Sequence, residues 1–215
     1  MSTRLAYLCP EMGAVNNTFI YREIETLRGK GCVVMLFSTT YPEDKAHTED
    51  PQWLNETVYL YRASRAGMFS SALHIARTRL KAFVSSLSVM FSDMIKGSSG
   101  PPLERLKLPW HFLAGCYLAR QLMLQNIQHL HIHFAHTPTS VGMYGAMMAG
   151  IPYSFMGHAN DLFQRAALLK EKVRRSAFSA CISYHNKQWL CERGCDESKL
   201  HIVRCGIDTT QYSFR

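Results

Sequence analysis

Long uninterrupted apolar segments are absent from this 215-residue sequence, and no run of about 18 uncharged apolar residues predicts a membrane-spanning helix. The first residues also lack the apolar core and cleavage site of a signal peptide. Charged residues are few, at 19%, while 47% of the residues are hydrophobic, which argues against disorder and allows a sizeable core. We therefore expect one large domain or two small ones.

The cysteines show no pattern of a disulfide framework or of a zinc site. There are seven, an odd and scattered set without a Cys-x-x-Cys pair. Cys191 and Cys195 are four residues apart on a predicted helix, which supplies only half of a metal site. This usage favours reduced thiols and a cytoplasmic location.

Several functional signatures are missing as well. No G-x-G-x-x-G follows the first strand, so the dinucleotide fingerprint is absent, and no G-x-S-x-G elbow indicates a hydrolase. The net charge of +8 suits phosphate-bearing ligands, anionic membrane surfaces or nucleic acid. Since no nucleic-acid-binding motif or stacking platform accompanies the basic residues, we expect no nucleic-acid partner.

Short apolar segments alternate with helical patterns along the whole chain. This alternation predicts an α/β fold, a doubly wound, mostly parallel, Rossmann-like sheet covered on both faces. The predicted strands are residues 4–9, 32–38, 57–61, 130–135, 152–156, 177–183 and 200–203.

Residues 62–125 form a helical excursion from this pattern. Two predicted helices, 68–95 and 110–125, flank a Gly/Ser/Pro break at 97–102, and eight Arg or Lys against two acids lie between positions 62 and 111. One interpretation is an amphipathic element that faces an anionic membrane surface. The other is a pair of core helices with a solvated basic back.

The fifth strand leads directly into polar residues. His158 follows Gly157, and Asn160 and Asp161 come next. Ligands bind beyond the carboxyl ends of strands in open parallel sheets, and a histidine there can donate, accept or transfer a proton. The alternative is a capping turn in which Asn160 or Asp161 starts a helix and His158 bonds to the backbone.

A run of histidines marks the fourth strand. Strand alternation places His129, His131 and His133 on one face, and His136 follows. A metal site is a weak interpretation, because alternate residues are about 6.6 Å apart and no nearby carboxylate orients the rings. We expect His133 and His136 at the ligand end and no metal.

Four segments, in this order, resemble the N-terminal, acceptor-side domain of GT-B enzymes of the family 4 type, the retaining glycosyltransferases of exopolysaccharide biosynthesis. They are Asn16-Asn17-Thr18-Phe19-Ile20 with Arg22-Glu23, then His131-Ile132-His133-Phe134-Ala135-His136, then residues 150–155 with His158-Ala159-Asn160-Asp161, and finally Ile182-Ser183 with Gly206-Ile207-Asp208 downstream. The resemblance spans nearly the whole chain and is weakest over residues 40–125.

The resemblance implies roles for named residues. Gly13, Asn16 and Asn17 would face acceptor and donor phosphates, although the family has an acidic residue where this chain has Asn17. His158 would be the catalytic histidine of the cleft, supported by Asp161. The further substrate-binding residues that the resemblance implies are His133, His136, Asn160, Ser183 and Tyr184.

The resemblance also implies a single domain over residues 1–215 that corresponds to half of such an enzyme. The other half, which binds the nucleotide-sugar donor, is missing or separate, so the chain would be inactive alone. The acceptor would be a glycan or a lipid-linked saccharide, with no cofactor beyond the donor, in the cytoplasm or at the inner face of the membrane.

Alternative functions remain open at this point. The chain could be a non-catalytic binding module, or a subunit that pairs with a separate donor-binding protein. It could also be a different α/β enzyme that uses His158 and Asp161 in acid–base catalysis, or a metal protein built on the histidine run.

Overall fold

A computed structural model describes residues 2–14, 17–42, 51–97, 102–164 and 167–206. Their sheet has seven strands, all paired in parallel, which confirms the predicted α/β class. The strands are β1 (Arg4–Glu11), β2 (Val33–Thr40), β3 (Thr57–Tyr59), β4 (His129–His133), β5 (Tyr153–Gly157), β6 (Phe178–Cys181) and β7 (Leu200–Ile202). Of the predicted positions, Asn16, residues 98–101 and residues 207–208 lie outside the described residues.

The strand order is β3-β2-β1-β4-β5-β6-β7. Its first six strands have the order of dinucleotide-binding Rossmann folds, in which the chain reverses its direction of travel between β1 and β4. That reversal opens a crevice at the carboxyl ends of these two strands. Residues that directly follow β1 and β4 are therefore placed to meet a ligand.

Ten helices connect the strands in the described part of the chain, and 3-10 turns cover Leu60–Arg62 and Glu197–Lys199. The helices are α1 (Thr18–Gly29), α2 (Pro51–Glu56), α3 (Arg65–Thr78), α4 (Leu80–Lys96), α5 (Pro102–Leu106), α6 (Leu108–Leu124), α7 (Thr137–Ala149), α8 (Ala159–Phe163), α9 (Leu169–Arg175) and α10 (Tyr184–Glu192).

Two hydrophobic cores lie on opposite faces of the sheet. Alternation along β1 sends Ala6 and Leu8 into the larger core with α6 and α7, and sends Tyr7 and Cys9 into the smaller one. The smaller core contains Ile24 of α1 and residues of β2 and α2. The sheet is thus covered on both faces, as predicted.

Small residues let α6 and α7 approach closely. A Cβ on Gly145 would lie 3.0 Å from Leu118 Cδ2 and 3.3 Å from the Gly115 carbonyl oxygen. The end of α7 also depends on glycine, because Gly150 has φ +74°, the left-handed conformation that ends many helices. This confirms the expected end of the helix at Gly150.

Two predicted helices are wrong because each is broken. Residues 68–95 form α3 and α4, separated at Arg79, where φ is −136° and ψ is 43°. The helical pattern over residues 162–175 predicts one helix, but the described residues of this range include parts of α8 and α9, and Leu168 before α9 has left-handed φ and ψ of 59° and 33°. The apolar period is the same for a continuous and a broken helix, so the sequence pattern did not reveal the breaks.

The interpretation of residues 62–125 as core helices with a solvated basic back is confirmed in part, because Ile75 of α3, Met90 of α4 and Leu118 of α6 belong to the larger core. Arg77, Arg79 and Lys81 are exposed, but α4 also exposes apolar side chains. Leu80, Val84, Phe91 and Ile95 recur at helical spacing along α4, and each is more than half exposed. The buried side of α4 carries Met90 of the larger core and also polar groups: Asp93 is buried and forms an ion pair with Arg175 at 2.6 Å.

Within the described ranges, no helix combines the length and the apolar character required to span a bilayer. The seven cysteines are free thiols, and Cys205 is the exposed one, while the other six are buried or half-buried.

Candidate functional site

Aromatic rings from three elements meet beside the crevice between β1 and β4. His158 follows β5, and its ring centroid lies 4.9 Å from that of Phe19 at the start of α1 and 4.7 Å from that of Phe134 after β4. His133, the last residue of β4, lies 6.0 Å away in a stacked arrangement. We call Phe19, His133, Phe134 and His158 the edge cluster. His133 and His158, which the sequence pattern places at the ends of neighbouring strands, are thus brought together.

His158 is half-buried and is held at the start of α8. Its backbone N–H donates to Asp161 Oδ1 at 2.8 Å, and the two residues form a reciprocal capping box. The imidazole therefore accepts the Asp161 N–H, and its proton resides on Nε2, an atom that is buried and without a hydrogen-bond partner in the described residues. The alternative capping turn at His158 is therefore formed, and it leaves His158 Nε2 without a hydrogen-bond partner in the described residues.

The charge state of His158 follows from this environment. Burial, reinforced by neighbouring His133, lowers its pKa to about 4. The ring is therefore neutral at pH 7 and offers an Nε2–H donor.

Asp161 positions the strand ends that carry the edge cluster. It is 1% exposed and accepts hydrogen bonds from the backbone N–H groups of Ala135 and His158. Burial raises its pKa to about 6, against the lowering effect of these bonds and of Lys172. The structure thus places Asp161 as a support for His158, and a direct catalytic role for Asp161 stays a prediction.

Lys172 lies beneath the same turn and was missed by the sequence analysis. It is fully buried, and its Nζ donates to the carbonyl oxygens of Ala135 at 2.6 Å and His136 at 3.1 Å. Burial lowers its pKa to about 7, although Asp161 acts in the opposite direction. The available signal was its position on the inner face of α9, beside Leu169 and Val173.

The turn held by Lys172 contains a strained residue. Phe134 has φ +73°, which is uncommon outside glycine and is characteristic of functional sites. The Thr139 hydroxyl donates to the Phe134 carbonyl oxygen at 2.8 Å, and His136 Nδ1 accepts the Thr137 N–H at 2.7 Å. These bonds fix the direction in which Phe134 and His136 project.

The loop after β1 is tied down by its own polar groups. Gly13 has φ +99°, and its N–H donates to the Tyr21 hydroxyl at 2.8 Å. Asn17 precedes α1 as its N-cap residue but makes no side-chain cap bond. Its Nδ2 instead donates to the Glu11 carbonyl oxygen at 2.7 Å. The expected phosphate contacts of Gly13 and Asn17 stay predictions.

The remaining predicted residues lie farther along the sheet edge. Asn160 is exposed on α8, and Tyr184 is 73% exposed at the start of α10. Ser183 caps α10 by accepting the Asn186 N–H at 3.1 Å. Within the described part of the chain, no hydrogen bond, ion pair or ring contact joins these three residues to the edge cluster, and their binding roles stay predictions.

Two cavities flank the edge cluster. One, of about 570 Å³, lies at the carboxyl ends of β1 and β2 and is lined by polar side chains that include Thr40, Lys107, His136 and Gln164. The other, of about 580 Å³, lies beside α1 between Phe19 and residues 203–206. Both are in the size range of small-molecule sites.

The family profile described as Glycosyltransferase Family 4 matches residues 17–211. The chain belongs to Glycosyltransferase Family 4. No match was found among curated protein sequences.

Solved structures of larger proteins share the fold of this Glycosyltransferase Family 4 chain. The apo form of the lipopolysaccharide outer core galactosyltransferase WaaB has a TM-score of 0.54 and 14% identity, over 94% of this chain and 45% of that one. UDP-N-acetylglucosamine 2-epimerase from Rickettsia bellii has a TM-score of 0.50 and 9% identity, over 95% and 45%. The chain therefore spans less than half of the length of these structures, which confirms its correspondence to one half of a GT-B protein.

Glu23 is a second residue whose role the sequence analysis missed. It projects from α1 toward β4, with one carboxylate oxygen 3.5 Å from His133 Nε2 and the other 3.9 Å from His131 Nε2. The Tyr7 hydroxyl donates to it at 2.6 Å. The expectation that no carboxylate lies near the histidine run is therefore wrong. The available signal was the spacing of Glu23 four residues after Phe19, on one face of α1.

The charge states of Glu23 and His131 depend on the burial of each side chain and on the interaction between the carboxylate and the imidazoles. Burial alone would raise the pKa of Glu23, but the neighbouring imidazoles of His133 and His131 and the hydrogen bond from Tyr7 lower it to about 2. Burial lowers the pKa of His131 to about 3. At pH 7 an ionised carboxylate therefore faces a neutral imidazole.

Proposed function

We propose that this chain is the acceptor-binding half of a glycosyltransferase that transfers a sugar from a nucleotide-sugar to a glycan or a lipid-linked saccharide. Membership of Glycosyltransferase Family 4 supports the reaction class. The proposal rests on the edge cluster. There a neutral His158 packs against two aromatic rings at the crevice, and its Nε2–H has no hydrogen-bond partner in the described residues. The nucleotide-sugar is a co-substrate, and the proposed transfer reaction requires no other cofactor.

The edge cluster offers two kinds of contact to a pyranose. The apolar C–H face of a sugar packs on aromatic rings, which Phe19 and Phe134 supply. A sugar hydroxyl accepts a hydrogen bond from a neutral imidazole N–H, which His158 supplies. Because His158 Nε2 is covered in the present conformation, we infer that sugar binding displaces the Phe19 ring. His158 then orients the reacting sugar and does not need to act as an acid.

The polar cavity beside β1 and β2 suits the rest of the acceptor. Hydroxyl, carboxylate, ammonium and imidazole groups line it, and Glu104 and Lys107 form an ion pair at 2.7 Å at its wall. Saccharides are recognised by such convergent donors and acceptors. His136 belongs both to this cavity and to the turn that carries Phe134, so the cavity and the edge cluster are continuous through one residue.

A donor-binding counterpart is required for turnover. The transition state needs its leaving group to be stabilised by groups placed across a cleft. The matched structures are more than twice as long as the matching region. We expect the chain alone to bind acceptor and to transfer no sugar, and measurable transfer by residues 1–215 would contradict this division of roles.

Acceptor binding is testable on this chain by saturation-transfer NMR with oligosaccharide fragments. We expect sugar protons to receive saturation in the wild type and to lose most of it in His158→Ala. His185→Ala is the matched control, because His185 is exposed on α10. Equal saturation transfer in His158→Ala and His185→Ala, both with native circular dichroism, would show that His158 does not contact the sugar. In a protein that also carries a donor-binding domain, we expect His158→Ala to abolish sugar transfer.

We further propose that α4 docks on an anionic membrane surface at the cytoplasmic face, where a lipid-linked acceptor would be presented. The exposed apolar side chains of α4 recur on one helical face, and the basic residues Arg77, Arg79 and Lys81 are exposed at its start. Apolar burial and attraction to anionic lipid both favour such docking.

Vesicle sedimentation tests this docking. We expect binding to vesicles of phosphatidylglycerol and phosphatidylcholine, weaker binding at high salt, and little binding to phosphatidylcholine alone. Phe91→Ser should lower the bound fraction, while Leu124→Ser is the control, because Leu124 is 63% exposed on α6. Equal loss in both variants would show that no defined face docks.

A further inference from the structure

Glu23, His131 and His133 bring three metal-ligand groups together from two separate elements. One ligand atom from each side chain can be chosen so that all three lie within 4.8 Å of one another. The carboxylate comes from α1, while both imidazoles project from the same face of β4. We call these three residues the Glu–His–His group.

Three of the four ring nitrogens of this group have no hydrogen-bond partner within the described residues. His133 is fully buried, and neither of its nitrogens has a hydrogen-bond partner in the described part of the chain. The same holds for His131 Nε2. The separations of 3.5 Å and 3.9 Å from Glu23 exceed the usual 2.7–3.2 Å of an N–H···O bond. Buried polar atoms are rarely left in this condition, so they call for an additional partner.

A serine hydroxyl is shared by His131 and His129. Ser154 Oγ lies 2.8 Å from His131 Nδ1 and 2.7 Å from His129 Nε2. The single hydroxyl proton serves one imidazole, and the other imidazole donates. When Ser154 donates to His129, His131 donates through Nδ1, and its Nε2 lone pair faces the Glu23 carboxylate. Metal-ligating histidines are commonly held in this way through their second nitrogen.

We propose that the Glu–His–His group binds a zinc ion. Two imidazole nitrogens and one carboxylate oxygen form a usual three-ligand zinc set with an open fourth position. Ligand bonds of about 2.0–2.1 Å in a tetrahedron place ligand atoms about 3.3–3.4 Å apart. The 3.5 Å and 3.9 Å separations involve different carboxylate oxygens, and the three ligand atoms lie within 4.8 Å of one another, so closure around one ion requires shifts of up to about 1.4 Å.

The surroundings complete the site. The Tyr7 hydroxyl donates to Glu23 at 2.6 Å and orients the carboxylate. A cavity of about 390 Å³, lined by Glu23 and His131, provides an entry path and space for a water as the fourth ligand. Glu23 itself is 36% exposed.

A metal here would join α1 to β4 next to the edge cluster. The His133 ring lies 5.7 Å from Phe19 and 6.0 Å from His158, so a fixed His133 restricts both. Zinc would thereby set the position of the start of α1. This role does not depend on sugar transfer.

Zinc alone, added to chelator-treated chain and followed by isothermal calorimetry, tests the site. We expect one equivalent to bind, with at least a tenfold loss of affinity in Glu23→Gln and in His133→Gln. Ser154→Ala should weaken binding by about 10–100-fold through the second nitrogen of His131. His185→Gln is the matched control and should bind as the wild type.

Cysteines are the competing ligands, and cobalt separates them from the Glu–His–His group. We expect the cobalt form to show visible ligand-field bands without a thiolate charge-transfer band. A thiolate band would overturn the proposal, and so would absence of binding at micromolar zinc or equal binding by wild type and Glu23→Gln.

Imidazole NMR provides a readout that does not require the variants to fold. Zinc should shift the ring signals of His131 and His133 in the wild type and leave those of exposed His74 and His185 in place. The reverse pattern would place the metal elsewhere and refute the site.

Discussion

Replacement of Lys172 by methionine should destabilise the protein more than any single exposed substitution. Lys172 Nζ donates to the carbonyl oxygens of Ala135 and His136. Its positive charge also interacts with the buried carboxylate of Asp161. Methionine fills a similar volume but leaves two buried carbonyl groups without this donor and leaves Asp161 without its positive neighbour.

The size of the effect follows from these losses. A buried acceptor left without a donor costs about 1–3 kcal/mol, and removal of one partner from a buried charge pair costs about 3–5 kcal/mol. The two estimates describe overlapping interactions, so they are not summed. We expect a loss of about 3–5 kcal/mol in the free energy of unfolding, a large part of the about 5–15 kcal/mol typical of domains.

Urea denaturation followed by circular dichroism at pH 6.5 measures this loss, because this pH lies between the pKa of Asp161, about 6, and that of Lys172, about 7, where both groups are mostly charged. Lys170→Met is the matched control, because Lys170 is exposed two residues earlier on α9. Asp161→Asn should cost less in the Lys172→Met background than in the wild type, since the two residues share one network. A Lys172→Met variant within 0.5 kcal/mol of the Lys170→Met variant, on the order of ordinary surface effects, would refute the argument.

Two further predictions concern pH and backbone conformation. Burial, together with the Lys172 charge, lowers the pKa of His111 to about 4, so the folded state disfavours its protonation. The stability that this neutral histidine confers is present above pH 6.5 and is lost as the pH falls toward 4, by about 3 kcal/mol at most. His111→Gln should therefore lose less stability than the wild type in melts between pH 6.5 and 4.5, and parallel curves would contradict the assignment. Gly150→Ala should lower the free energy of unfolding by about 1 kcal/mol because φ is +74°. Gly29→Ala is the control in the same urea assay and should be close to neutral, because the space around Gly29 is open. Equal losses would show that the conformation of Gly150 is not the cause.

The sheet and its ligand edge could be predicted from the sequence, because buried parallel strands appear as short apolar runs. Every residue of β5 is buried, as its continuous run indicated. Strand ends follow from the same runs, so His133 and His158 could be placed at one edge before their contacts were known.

Partners brought together by the crossovers could not be predicted. Glu23 meets β4 across more than a hundred residues of chain, and Lys172 meets the turn after β4 across 37 residues. A local pattern reports which face of a helix is apolar and does not report which strand that helix will cover. The buried Lys172 also contradicts the usual exposure of lysine, which only its tertiary partners explain.

The exposure pattern of the cysteines makes this chain convenient for spectroscopic work. Cys205 is exposed and shares the cavity beside α1 with Phe19 and Glu23. Once the half-buried Cys32 and Cys191 are replaced by serine, a thiol-reactive fluorophore would attach at Cys205 alone among the accessible positions. Since burial raises the pKa of the Cys205 thiol, attachment should proceed faster under mildly alkaline conditions. The dye would then report in real time on any molecule that enters this cavity, without an assay of chemistry.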